Sequence, residues 1–147
     1  MLHVSKGRAP MPRSVGLLRS ASLADVTYAY AASVPPGTEL LFLAGSCPLD
    51  AGGETVAVGD FGAQAARCME NLRAALAEAD ASLNDVVSTR VLVASSRRDD
   101  LVTAWEVVRD AFAPHDPPST LLGVTVLGYE RQLVEVEAIA AIKARCP

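Results

Sequence analysis

Apolar positions change their period along the chain, and each change marks an element. Over 60–79 they recur in threes and fours as Phe61, Ala65, Met69, Leu72, Leu76 and Ala79, the spacing of one helical face. Asp60 stands just ahead of this stripe, where a carboxylate can accept from the first unpaired amides, so the predicted helix starts there and runs to about Ala79. A second stripe of Leu101, Trp105, Val108 and Phe112 predicts another helix. Its expected start is a capping box, Ser96-x-x-Asp99, and Pro114, Pro117 and Pro118 end it. Between the helices, 86–94 is rich in β-branched residues and reads as a strand. Two more β-rich runs, 119–127 and 133–141, flank Gly128-Tyr129-Glu130-Arg131-Gln132. Toward the N-terminus, 15–20 and 26–33 read as weaker strands and 39–44 as a short buried one. Pro35-Pro36-Gly37 and Ala51-Gly52-Gly53 supply the turns.

The resulting order is β-β-β-α-β-α-β-β. Each helix has one apolar surface to cover, so the expected class is α+β, with two helices packed on one face of a mixed β-sheet. The last run carries the candidate chemistry. Alternation puts Leu133, Glu135, Glu137 and Ile139 on one face, with the two carboxylates about 6.5–7 Å apart. Two acids on one strand face repel unless solvent or a partner intervenes. One reading is a charged solvent face; the other is a carboxylate that holds a water or a proton in a cleft.

Composition alters this picture in two places. Half of the 147 residues are hydrophobic, mostly aliphatic, and the mean hydropathy is +0.26. A domain so small has little interior in which to bury that much apolar surface, which points to a subunit interface. No apolar run approaches the roughly 18 residues of a membrane span, and no apolar segment of an export signal follows the basic start. A cytoplasmic protein without membrane contact is expected. Charge is also uneven. Residues 1–24 hold Lys6, Arg8, Arg13 and Arg19 and no acid, while 25–147 hold all 17 acids. The expected organisation is a basic N-terminal extension over 1–24, part of or appended to a single domain over 25–147. Four scattered cations on an acidic body argue against nucleic acid as a partner. Cys47, Cys68 and Cys146 are odd in number and lack a CxxC spacing, and His3 and His115 are the only imidazoles. Neither a metal site nor a disulfide framework is expected, and no cofactor is implied.

Several segments together, in order, resemble the RidA/YjgF family of reactive imine and enamine deaminases. They are Leu43-Ala44-Gly45-Ser46-Cys47-Pro48, the helix from Gln64 to Asn71, Asp85-Val86-Val87, and Val134-Glu135-Val136-Glu137-Ala138-Ile139-Ala140. The resemblance spans roughly 28–140. It implies a chorismate-mutase-like (RidA-like) fold, assembly as a homotrimer, and clefts between subunits that take a small-molecule metabolite. It also implies hydrolysis of a C=N bond to a carbonyl compound and ammonia, with an arginine in a Pro-x-Arg motif gripping the substrate carboxylate.

Carried onto this chain, the resemblance makes Glu137 the water-positioning residue and Leu122 the source of a backbone carbonyl for that water. Tyr28 falls at a pocket tyrosine, and Trp105 replaces an asparagine. Trp105 also lies on the apolar stripe, which favours a core position. The arginine is missing: a gapless count from Glu135 puts Thr120 in its place, in Pro118-Ser119-Thr120. Losing a charge-assisted clamp costs about 2–4 kcal/mol of transition-state binding. Arg90 and Arg131 are candidate substitutes, with solvated faces as their default reading. Cys47 reads as a small hydrophobe before a nucleophile. Gln64 and Asn71 lie seven apart on one helix flank and read as bonds to neighbouring loops. Two functions follow: a hydrolase of reactive imines or enamines with altered substrate, or a non-catalytic metabolite-binding trimer using the same cleft.

Overall fold

The computed structural model describes residues 15–145; the part of the basic extension before residue 15, and Cys146, lie outside that range. The described chain forms β1 (Gly16–Leu18), β2 (Ala31–Ser33), β3 (Thr38–Phe42), α1 (Phe61–Glu78), a 3₁₀ turn (Leu83–Asp85), β4 (Val86–Val93), α2 (Arg98–Phe112), β5 (Ser119–Gly123) and β6 (Val134–Lys143). β1 and β2 pair antiparallel as a separate ribbon. The main sheet has the order β3-β6-β4-β5, antiparallel except for the parallel β4–β5 pair. The sheet is therefore mixed.

Helix α1 begins where the pattern predicts. Asp60 accepts the Ala63 amide at 2.9 Å, and Ala65, Met69, Leu72 and Leu76 are buried along its stripe. For α2 the expected capping box is wrong. The N-cap residue is Arg97, without a side-chain cap; Ser95 Oγ instead donates to Asp100 at 2.7 Å and accepts the Arg97 amide. The short serine hydroxyl one position earlier already satisfies this turn. A capping box does form at Ser82 and Asp85, around the 3₁₀ turn.

Both helices cover one face of the sheet. Their buried residues meet Val91 and Val93 of β4 and Val134, Val136, Ala138 and Ala140 of β6 in one apolar cluster. Strand β3 corrects another expectation. It ends at Phe42, lies at the sheet edge, and is not buried: Phe42 is 74% exposed and Leu40 46% exposed. Its pairing with β6 directs both side chains to the face that no helix covers. The run 119–127 is also shorter as a strand, because Gly123 ends β5. A Cβ at Gly123 would lie 2.7 Å from the Ser95 carbonyl, so only glycine permits that close crossing.

Candidate functional site

Strand β6 alternates without interruption, with the even-numbered residues from Val134 to Ala140 under the helices and Glu135, Glu137 and Ile139 on the open face. Leu133 precedes the strand and packs against the core. What lies beside each carboxylate is set by β4. A register shift between Val86 and Ser88 turns Val86 into the core. Beyond it, Arg90 faces away from buried Thr89, Val91 and Val93. Arg90 then pairs with Glu137 on one side and with Thr120 of β5 on the other. Three neighbouring strands thus line up Thr120, Arg90 and Glu137 in a single row.

The row contains an ion pair. Arg90 Nε donates to Glu137 Oε2 at 2.8 Å, and Nη2 lies 2.6 Å from the same oxygen in an ion pair. The guanidinium is 58% exposed and the carboxylate 35%, so both remain reachable from the open face. One of five guanidinium N–H groups makes a hydrogen bond to Glu137, and others remain for a ligand. A solvated face is the default reading for both candidate arginines; Arg90 is solvent-accessible and also paired. Arg131 is different. It sits at a left-handed φ of 60° in the turn before β6, and its contribution is a backbone carbonyl that accepts Gln64 Nε2 at 3.1 Å.

Glu135 has a separate partner. Cys47 Sγ donates to Glu135 Oε1 at 3.0 Å. The carboxylate lies so close to Gly45 that a Cβ there would come within 2.7 Å of its Cδ. Burial, and then the hydrogen bond to Glu135 and its charge, push the Cys47 thiol up to about 12. Burial pushes Cys68 up as well. Both groups are therefore thiols rather than thiolates at neutral pH, unsuited to nucleophilic attack.

The predicted binding residues fall into two groups. Tyr28, Trp105 and Thr120 line one open cleft of about 400 Å³ together with Ser119 and Leu121. Tyr28 and Trp105 meet edge to face, their ring centroids 6.2 Å apart. Trp105 also packs, partly buried, against the core, so it lines the cleft and belongs to the core at once. Leu122 lies one row further along the sheet, level with Leu92 and Glu135 rather than with Glu137. Tyr28 is held by the neighbouring backbone: the Ala29 amide donates to the Asp116 carbonyl at 2.9 Å, and Arg19 pairs with the Asp116 side chain at 2.5 Å.

Other lining residues escaped the sequence reading, among them Leu121 of the first cleft. Ser88 and Tyr30 join Tyr28, Arg90 and Thr120 around a second opening of about 350 Å³. Tyr30 shares the parity of Tyr28, which was an available signal; Ser88 carried none. Gln64 and Asn71 act as scaffold. Gln64 Oε1 accepts the Leu133 amide at 2.7 Å, which fixes the entry to β6. Asn71 Nδ2 donates to the carbonyls of Cys47 and Leu49. Among the described residues, no cluster of His, Cys, Asp and Glu forms that could hold a metal ion.

A family model described as Endoribonuclease L-PSP matches residues 21–142. A RutC family protein of Pyrococcus abyssi is 37% identical over 100 residues, 68% of this chain and 76% of the relative. The solved RidA of an Antarctic Psychrobacter is 28% identical with a TM-score of 0.63, covering 85% of this chain and 94% of that one. The chain belongs to the RidA/YjgF family. The fold of this Rid-family chain is matched more closely, with a TM-score of 0.81, by a Yersinia pestis structure described as a conserved Rid protein of unknown function. That match covers 88% of this chain and 99% of the other at 24% identity, and it bears on fold alone. Two helices on a mixed sheet, in the chorismate-mutase-like arrangement, is thus the architecture of this chain.

Proposed function

We propose that this Rid-family chain hydrolyses reactive imines or enamines of small metabolites to a carbonyl compound and ammonia, with Arg90 supplying the positive charge that Thr120 lacks. One observation carries the reading: Arg90 lies in register between Thr120 and Glu137 and is bonded to the latter. A guanidinium one strand over can grip a carboxylate through its remaining N–H groups, while Thr120 adds a hydroxyl. Glu137 keeps Oε1 for an attacking water, because Arg90 takes Oε2. Water adds to the C=N carbon, a proton reaches nitrogen, and ammonia leaves as the carbonyl forms.

The cleft is read as the wall of a larger one completed by neighbouring copies in a homotrimer. The support is the open sheet face, where Leu40, Phe42 and Leu122 are exposed and no described element covers them. Among the described residues no helix is long and apolar enough to cross a membrane; a cytoplasmic location belongs to the proposal.

The test couples an amino-acid oxidase, which generates 2-iminobutanoate, to semicarbazide trapping. The protein should lower the yield of trapped imine. Glu137→Gln should slow turnover by about 10²–10⁴-fold, the range for a positioned acid–base group, with unchanged circular dichroism. Unaltered turnover in that variant would remove Glu137 from the chemistry. The alternative is a non-catalytic metabolite-binding trimer, and the Arg90–Glu137 pair favours it to this extent: a carboxylate already engaged has less capacity to hold water. Saturable thermal stabilisation by a metabolite without any turnover would select that reading.

A further inference from the structure

The two openings beside the Arg90 row are halves of one binding surface, one reaching Arg90 and the other Trp105. They share Tyr28, Ser119 and Thr120. On one side, Ser88 and Arg90 bring a hydroxyl and a guanidinium to about 350 Å³ of space that Ala29, Tyr30 and Pro118 also line. On the other, Trp105 and Leu121 supply the apolar part of about 400 Å³ that the shared hydroxyl residues also line. Ser119 Oγ donates back to the Pro117 carbonyl at 2.8 Å, so its hydrogen is committed and the hydroxyl donors at the divide come from Thr120 and Tyr28. Each opening alone lies at the lower end of the range for small-molecule sites. A ligand that spans both can set a negative charge on Arg90 at one end and apolar bulk against Trp105 at the other.

The geometry points to an aromatic carboxylate as the ligand class, its carboxylate on Arg90 and Thr120 and its ring against Trp105 and Tyr28. A flat ring can pack onto the exposed flank of the edge-to-face pair, whereas a methyl group leaves most of the apolar half wet. Under the proposed hydrolase reading, on which this inference rests for its chemistry, the substrate is the imine of an aromatic 2-oxo acid. Binding itself needs no turnover and is tested separately.

Trp105 is the only tryptophan in the chain, so its fluorescence, excited at wavelengths where phenyl groups do not absorb, reports occupancy of this cleft. The probes are 3-phenylpropanoate, propanoate and neutral 3-phenylpropanamide. The expected order is 3-phenylpropanoate at least tenfold tighter than either of the others. In Arg90→Gln, 3-phenylpropanoate and its amide should bind alike. In Trp105→Leu, followed by calorimetry, the advantage of phenyl over methyl should shrink to about twofold or less. Equal binding of propanoate and 3-phenylpropanoate to the unaltered protein overturns the inference, as does an Arg90→Gln dissociation constant within twofold of the parent. Failure of all three probes to bind overturns it too. If Trp105→Leu fails to fold, the ligand series on the parent protein and on Arg90→Gln, whose side chain is solvent-exposed, still decides. Ring-selective binding with no imine hydrolysis rejects the hydrolase and keeps this inference; hydrolysis of aliphatic imines without ring preference does the reverse.

Discussion

At the scale of single residues, two neighbouring glutamates are separated by their partners. Glu135 accepts from a thiol and Glu137 from a guanidinium, which answers the repulsion expected between acids two positions apart. The thiol has a consequence for pH. Cys47 titrates near 12 when folded against 9.0 ordinarily, so folding favours its protonated form. That contribution is complete below about pH 9 and is lost as pH climbs from 9 toward 12. Urea unfolding should accordingly show stability falling across pH 9–11, and Cys47→Ala should flatten that fall. At pH 7.5, peptide mapping after iodoacetamide should find Cys47 alkylated far more slowly than an unfolded control; equal rates would contradict the geometry. The odd-even parity that exposes both glutamates was legible in 133–141, since a strand's period is local. Arg90's attachment to Glu137 was not, because 47 positions separate them in the chain and the register depends on the shift after Val86.

The elements show the same division between local and distant information. Helix α1 was readable from end to end, since both its cap and its stripe are written within 60–79. Asp60→Ala removes the side-chain acceptor and should cost about 1 kcal/mol in urea unfolding. The start of α2 was misread at Ser96, as the serine that organises that turn is Ser95. Ser96→Ala should therefore change stability by less than about 0.5 kcal/mol, as at other surface positions without a structural role, while Ser95→Ala should destabilise measurably. A larger loss at Ser96 than at Ser95 would restore the original capping box. Strand β3 was misjudged for a different reason. An apolar run shows that a segment avoids water, and says nothing about whether its cover comes from its own chain.

For the whole molecule, that last point becomes the main prediction. Order of elements, helix count and mixed sheet could all be read from periodicity, because a small α+β domain has few ways to cover two amphipathic helices. The open sheet face could be inferred only as an excess of apolar composition, with no address. The structure gives it one: Leu40 and Phe42 on the edge strand and Leu122 on β5, flanking the row of Thr120, Arg90 and Glu137. If copies of the chain meet across this face, assembly and chemistry are coupled, since the same surface carries both. Phe42→Glu sets a carboxylate where a neighbour's apolar surface would lie, and burying an unpaired charge costs several kcal/mol. If the parent sediments as the proposed trimer, the variant should sediment as a monomer, and both ligand binding and imine hydrolysis should fall together. Its helices, which pack on the opposite face, should keep their far-ultraviolet circular dichroism. A monomeric variant with full activity would place the whole site within one chain; a variant that stays trimeric would move the interface elsewhere.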